Sequence, residues 1–308
     1  MADQSNSYPV KGIIKGMPIF REVVVKYIPE LADDAALEAL PDNATFGDLK
    51  TTYNLSAIKF GQMMLDFGKA AKSIKDMMAK EAEEFGVKVD LNAPEHQWSN
   101  TDEKIQKAAV DAIAKKYEGQ KGNIIFYGPS NIQMWYSLEQ DMLPYKAQNH
   151  GIGGCVDPEM MKWADRLLYP FEPAAVFFQT GSNDIANGLT LEQIKENKVK
   201  MYSMFLKNMP NTKLVVMSGL PLPSRQEFWA ATVETNEMLR ELCEKTDRMY
   251  FMDATDVMLS AEGPDNMKTT TDDRYFTREY FRMDGIHLNK KGHDVWTARM
   301  KETLEEIL

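Results

Sequence analysis

Five short strand-like runs, at about residues 123–128, 145–149, 174–180, 213–219 and 249–253, alternate with stretches of helical periodicity over the C-terminal two-thirds of the chain. The first is rich in β-branched and aromatic residues, and all are too short to be buried helices, so they read as strands covered on both faces. Strands separated by helices must cross over to pair. The pattern therefore predicts a parallel, doubly wound five-stranded sheet in a three-layer α/β/α sandwich. Such sheets bind ligands outside the carboxyl ends of their strands, which directs attention to the residues just after each run.

The first run, Asn123 to Gly128, stops at Pro129-Ser130. A turn serine is ordinarily a helix N-cap, but at a strand-to-helix turn its hydroxyl can also point into a cleft while its backbone N–H faces the same space. After the second run stands Asn149-His150-Gly151-Ile152-Gly153-Gly154, where glycines let backbone N–H groups approach a ligand or simply form a flexible turn. The third run, Ala174 to Phe178, leads into Gln179-Thr180-Gly181-Ser182-Asn183-Asp184. There the Asn183 amide can donate to a developing oxyanion or merely close an Asx-turn. Near the C-terminus, Asp284-Gly285-Ile286-His287 places an acid three residues before a histidine. The acid can hold the imidazole in one tautomer while the imidazole takes a proton from a nucleophile elsewhere. By itself the quartet also fits a capping aspartate beside a half-buried histidine.

These four blocks, in this order, resemble the SGNH hydrolases, also called the GDSL esterase/lipase family. Ser130 falls on the family's serine, Gly154 on its glycine, Asn183 on its asparagine, and Asp284 with His287 on its closing acid and base. Further similarity lies in Trp135, in Leu220-Pro221-Leu222-Pro223-Ser224-Arg225 with Trp229 and Asn236, and in Phe281-Arg282, so the resemblance covers about residues 121–300. It implies a flavodoxin-like fold and a Ser130-His287-Asp284 triad. It further implies an oxyanion hole formed by the N–H groups of Ser130 and Gly154 and the Asn183 amide. Two departures stand out. The usual Gly-Asp-Ser is Gly128-Pro129-Ser130, and Cys155 follows the glycine where a small polar residue is more usual. Proline lacks only its own N–H, so the Ser130 donor survives. Cys155 is expected to be a small buried hydrophobe rather than a redox or catalytic group.

Ahead of this region the chain reads as a helical module and linker over 1–100, followed by the catalytic domain over 101–308. Phe67, Ala70, Ala71, Ile74, Met77, Met78 and Phe85 recur at helical spacing opposite Lys69, Lys72, Lys75 and Asp76, predicting one amphipathic helix from Ser56 to Phe85. Shorter helices are expected around Pro18 to Tyr27 and Asp34 to Leu40, with another starting at Thr45 to Asp48. Val89 to Ser99, with Leu91 to Glu95 at its centre, reads as linker, and Thr101 opens a helix through Tyr117. The long helix must bury its stripe against its own module, the catalytic domain or a second chain, so a homo-oligomer through the module stays open. Met64, Met77, Met78, Met201 and Met204 fit a pliable core or, on the module, an adaptable surface. The stretch from Asp256 to Asp284, through Gly263-Pro264-Asp265-Asn266 and Thr269-Thr270-Thr271, is long for a connection and reads equally as a pocket wall or a self-packed excursion.

With 308 residues and 44% hydrophobic content the chain can build an ample core, and a formal charge of −10 opposes binding to a phosphate backbone, so no nucleic-acid partner is expected. Two cysteines, Cys155 and Cys243, suit a reducing compartment rather than a disulfide framework. Met1 to Tyr8 lacks the basic-then-apolar pattern of a secretory signal and no run is long enough to span a bilayer, so the expectation is a cytoplasmic protein without membrane association. His96, His150, His287 and His293 lack paired ligand spacing, which predicts no metal, and His293 is expected on the surface of the last helix. The expected activity is hydrolysis of a small acyl ester, such as an acetyl group on a carbohydrate, with no cofactor. Transfer of the acyl group to another hydroxyl, and a non-catalytic scaffold on the same fold, are the alternatives. The residues that bind the alcohol portion are not legible.

Overall fold

The computed structural model describes residues 10–11, 14, 18–41, 44–97, 102–261, 268–269 and 271–308. The chain divides into two compact units, Met1–Lys80 and Glu81–Leu308. In the first, helices α1 (Pro18–Tyr27), α2 (Asp34–Glu38) and α3 (Phe46–Thr52) precede α4 (Ala57–Glu83), the long helix that the periodicity predicts. Local capping sets the starts. Asp33 accepts the Ala35 N–H at 3.0 Å, and Thr45 and Asp48 form a reciprocal capping box. Phe67 of α4 stacks on Phe20 at 4.2 Å and meets the edge of Phe46 at 4.7 Å, joining a core with Val24, Leu31, Leu49 and Met63. The stripe of α4 is thus buried in part by the module's own short helices.

The second unit is built on β1 (Ile124–Gly128), β2 (Ala147–Gly151), β3 (Ala175–Phe178), β4 (Lys213–Met217) and β5 (Met249–Met252). All neighbours pair in parallel in the order β2-β1-β3-β4-β5, which is the flavodoxin-like arrangement. Alternation along the strands feeds two cores. Ile125, Tyr127, Val176, Phe178, Leu214 and Val216 face α5 (Glu103–Lys116), α7 (Asp157–Leu167), α9 (Leu191–Asn208) and α10 (Trp229–Glu244). On the other face Ile124, Phe126, Ala175, Phe177 and Val215 pack with Ile132 of α6 (Ser130–Gln133), Trp135, and Trp296 and Met300 of α11 (Lys290–Ile307). A further short helix, α8 (Ser182–Ala186), follows β3.

Strand bounds differ from the sequence reading by up to two residues, with β2 ending at Gly151 rather than 149, β3 at Phe178 rather than 180 and β4 at Met217 rather than 219. β2 starts at Ala147 rather than near 145 because the ladder begins where Ala147 meets Ile124, while Tyr145 still closes a turn onto Met142. Helix α5 starts at Glu103, with Asp102 accepting the N–H groups of Lys104 and Ile105. Thr101, Thr270, Ser99, Met1 to Tyr8 and Gly263 to Asn266 lie outside the described residues. In the long connection before Asp284, β6 (Leu259–Ser260) and β7 (Tyr275–Phe276) form a small antiparallel pair. Their Leu259 and Phe276 pack on Trp229, whose indole N–H donates to Thr271 at 2.9 Å.

His293 corrects an expectation. It is fully buried, stacked on Trp135 at 5.1 Å, because it starts the stripe His293, Trp296, Met300, Leu304 that α11 turns to the sheet. Helical spacing, not polarity, decides its side.

The end of β2 is packed onto the turn after β1. Asn149 donates to the carbonyls of Ile132 and Trp135 and accepts the Gly151 N–H. A Cβ on Gly151 would collide with the backbone of Gln133, which has no flexible end to move. Gly151→Ala is therefore expected to destabilise the fold by about 1–3 kcal/mol, read as a lowered denaturant midpoint, because overpacking must displace α6. A midpoint equal to wild type would refute this packing.

Candidate active site

Ser130 is the first residue of α6, with Pro129 as N-cap at φ −77°. Its N–H belongs to the first turn, where no intrahelical acceptor exists. Its hydroxyl lies 2.8 Å from His287 Nε2, and both residues are nearly closed to solvent, at 4% and 6% residual exposure. His287 Nδ1 lies 2.6 Å from Asp284 Oδ2. An ionised carboxylate only accepts, so Nδ1 carries the proton, and Nε2 is free to accept from the serine hydroxyl. Asp284 also accepts the N–H groups of Ile286 and His287 through Oδ1, at 2.8 and 2.9 Å. Burial alone would raise this carboxyl. The charge and hydrogen bond of His287 and the two backbone donors outweigh it and hold Asp284 well below the usual range.

The spacing works because the quartet is a tight turn: Gly285 sits at φ 64° and donates to the Arg282 carbonyl. Asn131 then fastens this turn to the serine loop. Its amide donates to the Ile286 carbonyl at 3.2 Å and accepts the Leu288 N–H at 2.8 Å. Arg282 supports the same segment by donating to the Leu288 carbonyl at 3.1 Å. Asn131 was legible only as the residue after the serine. Its bonding to the histidine segment needs the fold.

Gly154 follows β2 at φ 79°, a backbone conformation that favours glycine. Asn183 is the second residue of α8, after Gly181 at φ 123°. Its Nδ2 donates to the Cys155 carbonyl at 3.2 Å, and its Oδ1 accepts from Arg225 Nη1 at 3.2 Å. Because a guanidinium can only donate, the amide orientation is determined, and a second Nδ2 hydrogen stays available. Ser130, His287 and Asp284 thus form one hydrogen-bonded chain. Asn183 is tied to the loop that carries Gly154.

Beneath those two loops lies a buried ionic cluster that sequence reasoning missed. Lys198 Nζ bonds Asp157 Oδ1 at 2.9 Å and also the Thr180 hydroxyl, and Asp184 Oδ1 accepts the Asp157 N–H at 2.9 Å. All three charged groups are essentially inaccessible. The available signal was a lysine on the apolar stripe Ile194, Lys198, Met201, Tyr202, Phe205 of α9. Cys155 and Cys243 are free and buried, and burial pushes both thiols up, Cys243 to about 12. His150 is buried and, with Nδ1 2.6 Å from the Leu167 carbonyl, pushed down to about 3 by burial. Among the described residues no group of three or more histidine, cysteine or acidic side chains could hold a metal, and no helix is long and apolar enough to cross a membrane.

Residues 122–295, more than half of the chain, match the GDSL-like lipase/acylhydrolase family. The chain belongs to this family. Two solved structures share the fold at low identity. One, from Streptococcus pneumonia and described as a candidate platelet activating factor, is 20% identical, with a TM-score of 0.51 over 77% of this chain and 99% of that one. The other, a candidate acylhydrolase from Bacteroides fragilis, is 18% identical, with a TM-score of 0.53 over 68% and 98%. No curated protein matches this acylhydrolase-family chain.

In the buried cluster, Lys198 pairs with Asp157, and Asp184 meets Asp157 only through the Asp157 backbone N–H. Burial foremost, then the Asp157 charge, raises Asp184 to about 7 against the pull of Lys198. Since the unfolded chain releases this proton near the ordinary aspartate value, the native state binds more protons between that value and about 7. Stability from this group therefore falls as pH rises through that window and is level above it. Asp184→Asn keeps an acceptor for the Asp157 N–H and does not titrate. Relative to wild type it should gain about 1 kcal/mol or more between pH 4.5 and pH 8 in urea unfolding. An equal difference at both pH values would exclude the raised carboxyl.

Proposed function

We propose that this acylhydrolase-family protein is a serine esterase for small acyl esters. The observation that carries the reading is the unbroken chain from Asp284 through His287 to the Ser130 hydroxyl. Ser130 Oγ attacks the ester carbonyl while its proton passes to His287 Nε2, and the Asp284 charge stabilises the imidazolium. The tetrahedral oxyanion is held by the N–H groups of Ser130 and Gly154 and by the free Nδ2 hydrogen of Asn183. Collapse breaks the ester bond, His287 gives its proton to the departing alkoxide, and an acyl-serine remains. Water then loses a proton to His287 as it attacks, and the second intermediate releases the acid while Ser130 recovers its proton. No cofactor enters these steps.

The low exposure of Ser130 and His287 favours a small acyl group, and acetyl esters of carbohydrates are the first class to assay. Products analysed with competing sugar hydroxyls separate hydrolysis from acyl transfer.

Ser130→Ala is expected to lower turnover of 4-nitrophenyl acetate by about three orders of magnitude or more with an unchanged melting temperature, because it removes the nucleophile and little packing. Wild-type turnover in that variant would end the proposal. Asn183→Ala should act mainly on kcat, by about 10²- to 10³-fold, since its hydrogen bond strengthens only as charge develops. A change confined to KM would instead make Asn183 a substrate-positioning group.

A further inference from the structure

Arg225 is bonded unlike any other arginine of this chain. The other eight each donate to a carboxylate or a backbone carbonyl: Arg240 to Asp253 at 2.6 Å, for example, and Arg248 to the carbonyls of Met209, Thr212 and Leu206. Arg225 donates only through Nη1, to the neutral oxygens of Ser182 and Asn183. Among the described residues its Nε and Nη2 have no hydrogen-bond partner and no carboxylate lies within ion-pair distance. The side chain is half-buried, and that burial pulls its pKa down against the attraction of the exposed Glu227 and of Asp284. Asp284 is already engaged by His287 and two backbone donors.

The placement is at the reacting centre. Ser224 donates its N–H to the Gly285 carbonyl at 3.1 Å, so the Ser224-Arg225 pair bridges the acid turn to the Asn183 loop. Within the 3₁₀ stretch Pro223–Phe228, Arg225 departs from helical geometry at φ −137°, ψ 40°. The unpaired edge of this half-buried cation keeps contact with water, so it is open to an anion, which gains charge-assisted hydrogen bonds by docking against it. A guanidinium suits this because its planar fork meets a carboxylate or phosphate with two parallel hydrogen bonds.

Building on the esterase reading, we propose that Arg225 is the specificity residue of this site, its free edge binding a carboxylate or phosphate carried by the ester substrate while Nη1 holds the Asn183 amide. The preferred substrates are then anionic esters despite the chain's net charge of −10.

The test compares wild type, Arg225→Lys and Arg225→Gln on charged and neutral ester pairs. Mono-4-nitrophenyl succinate against 4-nitrophenyl butyrate places the charge on the acyl side, and O-acetylglycolate against ethyl acetate places it on the alcohol side. Wild type should favour the charged member of one pair at least tenfold in kcat/KM, chiefly through KM. Arg225→Gln should erase that preference and Arg225→Lys keep part of it, with melting temperatures confirming that both variants fold. Equal loss on charged and neutral esters, confined to kcat, would leave Arg225 as a positioning residue for Asn183 only and overturn the proposal, as would a preference surviving in Arg225→Gln. Calorimetric binding of succinate and of inorganic phosphate reads the same edge without turnover. Binding that is at least tenfold weaker in Arg225→Gln supports the anion site even if no ester is cleaved, an outcome that would count against the esterase reading alone. Absence of binding to wild type together with absence of a charge preference overturns it.

Discussion

Everything at the candidate site hangs on the parallel ladder β2-β1-β3. Gly128 lies opposite Gly151, and Tyr127 opposite Phe178, so the three strands end within a residue of one another. Strands in a ladder are about 4.8 Å apart. Ser130, Gly154 and Asn183 therefore leave the sheet from adjacent strand ends although they are far apart in sequence. Close approach at these ends has its own requirement: a Cβ on Gly128 would lie 2.6 Å from the Gln179 carbonyl oxygen. A side chain there would separate β1 from the residues leading to Asn183.

The ladder positions three loops but not the segment with Asp284 and His287, which belongs to no strand of this sheet. One carboxamide supplies that link. By accepting from Leu288 and donating to Ile286, Asn131 brackets His287 on both sides, and it is itself the second residue of the helix that Ser130 begins. The serine and the imidazole are thus held by neighbouring residues of one rigid turn, which constrains their 2.8 Å separation more than either loop could alone. The Lys198–Asp157–Asp184 cluster does the comparable task for the loops of Gly154 and Asn183. Buried ion pairs add little net stability, because desolvation opposes the attraction. What the cluster supplies is a fixed relation between the start of α7 and the start of α8.

The pattern of what sequence revealed follows from the range of each interaction. Four of the strands were legible because burial on both faces leaves a local mark, a short run of apolar residues, whereas β2, Ala147-Gln148-Asn149-His150-Gly151, carries little of it. Strand ends were less legible, since pairing partners decide them, as at Ala147. Asp284 and His287 announce themselves through a three-residue spacing that one turn can realise. Asn131, Lys198 and Arg225 carry no such mark: their partners lie 155, 41 and 42 residues away. His293 was misplaced for a related reason, because a residue type read singly said surface while its register with Trp296 and Met300 said core.

Pro129, where relatives by resemblance carry aspartate, is consistent with the same economy of turns. Its φ of −77° is what the pyrrolidine ring imposes, and its carbonyl accepts the N–H groups of Ile132 and Gln133 at 3.0 and 3.1 Å. The missing N–H falls at an N-cap, ahead of the helix donors, so no intrahelical bond is lost. An aspartate at this position could have offered a side chain to neighbouring loops. Here Asn131, one residue beyond the serine, makes side-chain bonds to the histidine segment, and Asn149 of β2 holds the other side of α6 through the carbonyls of Ile132 and Trp135. Rigidity that a polar residue before the serine would provide by hydrogen bonding is provided by a ring that cannot rotate and by two flanking amides.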